Sequence, residues 1–240
     1  MASSKPRRLD QWLANCGYCS RSEARPLVRS GRVTIDGERA TDPGEKVRSE
    51  SIRINGEPIE APEGLLAVFH KPAGYVCSHD GREGPSVFDL LPARWMKRNP
   101  VVTTVGRLDK DTTGVLLLTD IGPLVQHWTS PRHKVPKLYE VVVDGTIPES
   151  LIEVFARGDL MLADEEKPCL PARLEITGPS EARLELTEGR YHQVKRMFGE
   201  QGLNVLKLHR SHFGTYTVES LEVGKWRMLE IPSIPGVQIG

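Results

Sequence analysis

The 240 residues are enough to bury a sizeable core, or one modest domain with a small appendage. The chain holds 32 basic and 32 acidic residues, so its net charge says nothing of a polyanionic partner; yet Met1 to Arg32 carries seven Lys or Arg against two acids, and Val33 to Glu60 four against seven. No apolar run approaches the roughly 18 residues of a membrane span, and the N-terminus lacks the apolar core of a signal peptide, so the chain reads as cytoplasmic.

Met1 to Arg8 is polar and basic and is expected to fray. Leu9, Trp12 and Leu13 recur at helical spacing and predict a short amphipathic helix ending near Gly17. Cys16-Gly17-Tyr18-Cys19 has the spacing of half a zinc site. No second Cys-x-x-Cys or His-x3-His follows, and Cys77 and Cys169 stand alone, so the cysteines read as reduced thiols and no metal is expected. Ser20-Arg21-Ser22-Glu23 fits a capping box for a second helix that runs to about Ser30 and stops at Gly31. Pro26 would cost about 3 kcal/mol in a helix interior, which predicts a kink or a late start. Asp36-Gly37 after Val33-Thr34-Ile35, and Asn55-Gly56 after Ile52-Arg53-Ile54, are hairpin signals. Two basic-faced helices on a small twisted sheet closed by Ile59 make a unit over residues 1–60. Its Arg21, Arg25, Arg29 and Arg32 form either a nucleic-acid surface or an ordinary solvated face.

The breaker-rich residues 61–64 read as a linker, acting as a hinge, before a second domain over residues 65–240. That domain opens with a buried strand, Leu65 to Phe69, and the turn Lys71-Pro72-Ala73-Gly74. Pro85 to Leu91 is expected to be a short helix with Val87, Leu90 and Leu91 inward. Arg94, Lys97 and Arg98 then lie on either an RNA edge or a solvated loop. Val101 to Val105 and Val115 to Leu118 read as buried strands around a charged loop bounded by Gly106 and Gly114. Asp109 and Asp111 in that loop either bond backbone N–H groups in a plain surface turn or set a carboxylate at the mouth of an apolar core.

A short helix from Pro123 to Trp128 precedes the basic loop Ser130 to Lys137, which carries Arg132, Lys134 and Lys137 and no acid. Tyr139 heads the strand Leu138 to Val143, where a tyrosine is either core with its hydroxyl at the rim or a functional residue. A helix from Pro148 to about Arg157 and strands near Leu160, Arg173 to Ile176 and Arg183 to Leu186 fill out a sheet. From Tyr191 a helical stripe runs through Val194, Met197 and Phe198, which puts Lys195 at its margin and His192 and Arg196 on the far side.

Gly106-Arg107-Leu108-Asp109 followed by Thr112-Thr113-Gly114 and a leucine run resembles the signature of the pseudouridine synthases, and Glu188 to Phe198 resembles a later motif of that family. The turn Lys71 to Gly74, the Lys137-x-Tyr139 entry to a strand and Leu208 before His209-Arg210 are similar to further family positions. Leu9 to Leu13, Ser20 to Val33 and Asp36-Gly37 resemble an S4 RNA-binding domain, although Pro26 departs from what that helix usually carries.

The resemblance implies an α+β fold: a small S4-like domain followed by a catalytic domain with a central mixed, largely antiparallel β-sheet flanked by helices. It implies isomerisation of a uridine within RNA, with Asp109 catalytic, Lys195 paired with it, Tyr139 and Leu208 holding the base, and Arg107 either filling the vacated stack or neutralising Asp109. Arg21, Arg25, Arg29, Arg32, Arg132, Lys134, Lys137, Arg190, Arg196 and Arg210 are then the expected RNA contacts. No P-loop or dinucleotide fingerprint occurs, in keeping with a reaction that needs no cofactor.

Thr129 to His133 and Glu188 to Phe198 are most similar to the branch that modifies one uridine of small-subunit 16S rRNA, free or in a partly assembled subunit, and the enzyme is expected to act as a monomer. Two alternatives stay open: a sister enzyme acting on 23S rRNA, and a non-catalytic RNA-binding or ribosome-assembly protein.

Overall fold

A computed structural model describes residues 4–237. The front of the chain forms β1 (Arg7–Arg8), α1 (Leu9–Asn15), α2 (Ala24–Arg29), β2 (Val33–Ile35), β3 (Glu38–Arg39), β4 (Lys46–Val47), β5 (Ile52–Ile54) and β6 (Glu57–Pro58). Leu9, Trp12 and Leu13 bury one face of α1 against Val28, Val33, Ile52 and Ile59. The capping box is reciprocal: the Ser20 N–H donates to Glu23 Oε2 at 2.8 Å and the Glu23 N–H to Ser20 Oγ at 3.3 Å.

Pro26 produces the late start. The helix opens at Ala24, which leaves proline in the first turn where its missing N–H has no helical partner to lose. Both hairpins turn through left-handed pairs, Asp36 with Gly37 and Asn55 with Gly56, the geometry that matches strand twist. Within the stretch Met1 to Arg8, expected to fray, Arg7 and Arg8 form a strand instead. They pair with Val47 and Lys46, while residues 1–3 lie outside the described residues.

The body contains β7 (Leu66–Lys71), β8 (Thr103–Thr104), β9 (Thr113–Thr119), α3 (Gly122–Thr129), β10 (Lys137–Val143), α4 (Ser150–Arg157), β11 (Arg173–Gly178), β12 (Glu181–Leu186), α5 (Gln193–Gly199), β13 (Val205–Phe213), β14 (Tyr216–Thr217) and β15 (Trp226–Met228). The main sheet runs β11-β12-β10-β13-β9-β7-β15. Its neighbours pair antiparallel except for β13 beside β9, which makes it a mixed, largely antiparallel sheet flanked by helices.

Successive residues of β7 and β9 point to opposite faces, and both faces are covered. Leu65, Ala67, Phe69, Leu116 and Leu118 meet Trp95 and Val102 on one side, and Leu66, Val68, Val115 and Leu117 meet Leu124 and Trp128 of α3 on the other. The other half of the sheet packs Val141, Leu184 and Leu208 under Phe155 of α4 and Met197 and Phe198 of α5. The parallel seam, with His209 opposite Thr113 and Arg210 opposite Gly114, joins the two halves and brings the start of β9 against the middle of β13.

Several expectations are corrected. Leu160 lies in no strand; its carbonyl accepts a hydrogen bond from the Cys169 N–H, in a segment bounded by left-handed Gly158 and Asp164. The Pro85 to Leu91 helix is a single 3-10 turn, Val87–Leu90, which buries Phe88 while Leu90 is only half-buried. Arg98 lies on neither an RNA edge nor a solvated loop: it is buried and paired with buried Asp120 at 2.7 Å. Arg94 is tied to Glu60.

The connecting residues are bonded to the body at both ends. Arg98 donates to the carbonyls of Glu60 at 3.1 Å and Ala61 at 2.7 Å, and Asp120 accepts from the Leu65 N–H at 2.6 Å.

Candidate active site

The loop before β9 is held from below. Lys71, at the end of β7, is fully buried, and its ammonium donates to the carbonyls of Pro72 at 3.0 Å, Lys110 at 3.2 Å and Thr112 at 2.8 Å. The Gly74 N–H adds a bond to the Lys110 carbonyl at 2.7 Å. Burial lowers the Lys71 pKa, and the three carbonyls supply the solvation that the core withholds. The Lys-Pro-x-Gly turn thus fixes the backbone on both sides of Asp111. Gly114 then lets β9 approach β13: a Cβ there would sit 2.1 Å from the Arg210 carbonyl oxygen, at a φ of +112° that side chains rarely adopt.

On that fixed loop the Asp109 carboxylate is 24 % exposed. Lys195 Nζ lies 3.4 Å from Oδ2 and His192 Nε2 lies 3.4 Å from Oδ1. The same ammonium bonds Asp111 Oδ1 at 2.6 Å, so Lys195 serves both carboxylates. Burial works against the Lys195 charge, but the hydrogen bond to Asp111 and the two carboxylates outweigh it and raise its pKa. Burial likewise works against charge on Asp111, and the hydrogen bond and charge of Lys195 prevail and lower it.

Tyr139, Leu208, Leu186 and Val194 line one cleft together with Asp109, His192 and Arg107. Tyr139 is half-buried on β10, opposite Arg210 and Leu184; Leu208 is buried two pairs further along β13, opposite Val141. Thr112 also lines the cleft, and its buried hydroxyl has no protein partner among the described residues. Arg107 is exposed at the rim. Among the described residues the side-chain nitrogens within ion-pair distance of Asp109 are those of Lys195 and His192, so Arg107 is not its neutralising partner. No group of three or more His, Cys, Asp or Glu among the described residues is placed to hold a metal ion.

The cations expected to meet RNA divide into two sets. Arg25, Arg29 and Arg32 are exposed along α2 and its exit, with Arg32 bonded to Asn55 at 3.0 Å; Arg21, also exposed, lies 3.8 Å from Asp10. Arg132 and Lys134 are exposed on their loop. Lys137 is half-buried, donates to the Val135 carbonyl, and has its pKa lowered by burial.

Three others are corrected. Arg210 is 3 % exposed and gives Nε and Nη2 to the Val115 carbonyl, which stitches β13 to β9 instead of facing RNA. Arg190 is consumed by Glu188, Glu165 and the carbonyls of Lys167 and Pro168. Arg196 is consumed by Glu165 and the carbonyls of Ala163 and Tyr191.

His192 is the site residue that helical periodicity misplaced. A helix beginning at Tyr191 would carry it away from Asp109. The helix begins instead at Gln193, and His192 before it is left-handed at φ 48°, which turns its ring to the carboxylate. The same offset puts Gln193 in the core, bonded to Glu188 at 2.7 Å, and leaves Tyr191 exposed and not on the inward stripe.

An enclosed carboxylate with two nitrogen partners, walled by an aromatic and an aliphatic side chain, suits covalent or acid–base work on a flat heterocycle. Residues 65–200 match the family of RNA pseudouridylate synthases, and residues 7–52 match the S4 domain. The first match spans more than half of the chain, which therefore belongs to the pseudouridine synthase family and is an isomerase.

Over 235 residues it is 38 % identical to "Ribosomal small subunit pseudouridine synthase A" of Escherichia coli (strain K12), covering 96 % of this chain and 99 % of that protein. The protein of the same name from Vibrio cholerae is 38 % identical over 232 residues, covering 95 % and 99 %. A crystal structure of a pseudouridylate synthase, 35 % identical, superposes with a TM-score of 0.65 over 93 % of this chain and 96 % of that one.

Proposed function

We propose that the chain converts one uridine of small-subunit 16S rRNA to pseudouridine, with Asp109 as the catalytic nucleophile. The observation that carries the role of Asp109 is its place in a cleft walled by Tyr139 and Leu208 with Lys195 and His192 each 3.4 Å from its oxygens. Near-full-length similarity to the ribosomal small-subunit enzymes supports the choice of RNA. In the reaction the N1–C1′ bond breaks, a C5–C1′ bond forms, and the proton of C5 is exchanged for one at N1, so no oxidant or energy source is required. The carboxylate acts at the sugar or the base, Lys195 pairs with it and orients it, and Tyr139 and Leu208 hold the uracil once it leaves the RNA stack.

Residues 1–60 are the RNA-binding domain, 61–64 the connection and 65–240 the catalytic domain of a cytoplasmic monomer. Arg21, Arg25, Arg29, Arg32, Arg132 and Lys134 meet phosphates, the sequence-blind part of recognition.

Tritium release from RNA labelled at C5 of uridine tests this reading. Wild type and Asp109→Asn are compared on free 16S rRNA, a partly assembled small subunit and 23S rRNA. Release from a 16S substrate that vanishes in Asp109→Asn is the expected result. Release only from 23S rRNA overturns the substrate, and binding without release from any of them overturns the catalytic reading.

A further inference from the structure

Tyr191 is 71 % exposed, the most exposed of the large hydrophobic side chains described, and it stands at the one place where the function offers a use for such a ring. Its ring lies on that of His192, with centroids 3.9 Å apart and planes 17° from parallel. His192 lines the cleft and its Nε2 faces Asp109, which places the Tyr191 ring stacked on it beside the cleft. The pair is held by its backbone: His192 is left-handed, and the Tyr191 carbonyl accepts from Arg196 at 3.2 Å, which is itself anchored on Glu165. A lone exposed apolar side chain needs no explanation, but a ring fixed flat beside a site that extrudes a base is a different object.

Flipping the target uridine takes it out of contact with the bases before and after it, and single-stranded bases are commonly held by aromatic faces. We propose that Tyr191, backed by His192, is a stacking platform for the nucleobase adjacent to the target uridine in the RNA chain. This inference rests on the function proposed above. Tyr139 and Leu208 serve the flipped uracil inside the cleft; Tyr191 serves its neighbour outside and so fixes the register of the strand entering the site. Its ring stands outside the core, so replacing it leaves the fold intact.

The test is a cycle between protein and RNA. Single-turnover tritium release is measured for wild type, Tyr191→Ala and Tyr191→Phe on a 16S rRNA fragment centred on the uridine that wild type converts. The fragment is used intact, or abasic on the 5′ or the 3′ side of that uridine. Tyr191→Ala is expected to raise the enzyme concentration for half-maximal rate about tenfold, the order of one base stack, with little change in the rate at saturation. Tyr191→Phe, which keeps the ring, restores the wild-type value. Removing the base on one side should cost wild type the same factor and cost Tyr191→Ala nothing further. Losses that simply multiply on both sides, or a Tyr191→Ala that behaves as wild type, overturn the platform alone. A wild type that releases no tritium from any rRNA overturns the function and the platform with it.

Discussion

At the scale of single residues the site is a sharing arrangement. One ammonium, Lys195, is set between two carboxylates of one loop, closer to Asp111 at 2.6 Å than to Asp109 at 3.4 Å. Asp111 is 71 % exposed, so its bridge is screened and is worth no more than about 1 kcal/mol. The value of the bridge is therefore positional: it parks the ammonium where Asp109 can use it. Asp111→Asn should cost that small stability and reduce turnover only a few-fold, whereas Lys195→Met leaves both carboxylates without their main partner and should cut the saturating rate by about a hundredfold, as loss of one electrostatic partner in an active site does.

The pH dependence separates the two effects. The Asp111 pKa is lowered from 3.8, so its contribution is complete above that value and lost as pH falls through the depressed one. The Lys195 pKa is raised from 10.5, so its contribution is complete below that value and lost as pH rises beyond it. The stability gap between wild type and Asp111→Asn in urea should therefore be flat across neutral pH and close only in acid below about pH 3.8 or in alkali above about pH 10.5.

At the scale of elements, what was legible in the sequence was what is decided locally. The Asp36-Gly37 and Asn55-Gly56 turns, the Ser20–Glu23 box, the apolar runs of β7 and β9 and the late start at Pro26 each follow from residues within a few positions of one another. The illegible parts depend on distant partners. Nothing near Arg210 in the chain announces the Val115 carbonyl that absorbs its guanidinium, and nothing near Arg190 announces the carbonyls of Lys167 and Pro168. His192 was misplaced because a left-handed residue ahead of α5 is invisible to periodicity.

Lys71 shows the same limit: its motif marks a turn, but only the fold reveals a buried ammonium bonding three carbonyls. Lys71→Met should leave the Lys110 and Thr112 carbonyls without that donor and destabilise the protein by about 3 kcal/mol, read from urea unfolding. It should also lower turnover in proportion to the disorder it gives the Asp109 loop. A variant as stable as wild type would show that water replaces the ammonium at no cost and that the loop is held from elsewhere.

For the whole molecule, the connection between the two units decides how RNA held in front, as proposed, would present a uridine to the cleft behind. The joint is bonded at several points. Tyr18 Oη accepts from the Glu60 N–H at 3.2 Å, Trp95 Nε1 donates to Glu60 Oε2 at 3.1 Å, the Asn99 N–H donates to the Asn15 carbonyl at 3.3 Å, and the Arg94 guanidinium covers the Tyr18 ring. Arg98 is the centre of this joint, since it holds Asp120 of the body and two carbonyls of the connecting segment with one planar fork.

Breaking a buried pair leaves its partner charge uncompensated, so Arg98→Met should cost about 3–5 kcal/mol. Arg98→Lys keeps the charge but cannot reach all three acceptors, and should fall between. The decisive measurement is limited proteolysis under native conditions. If Arg98 fixes the orientation of the front unit, cleavage within residues 60–64 should accelerate in Arg98→Met well below its unfolding transition, and the RNA concentration needed for turnover should rise with it. Cleavage that follows global unfolding alone would make Arg98 a stabiliser of the body with no part in setting the reach between the arginines proposed to meet RNA and Asp109.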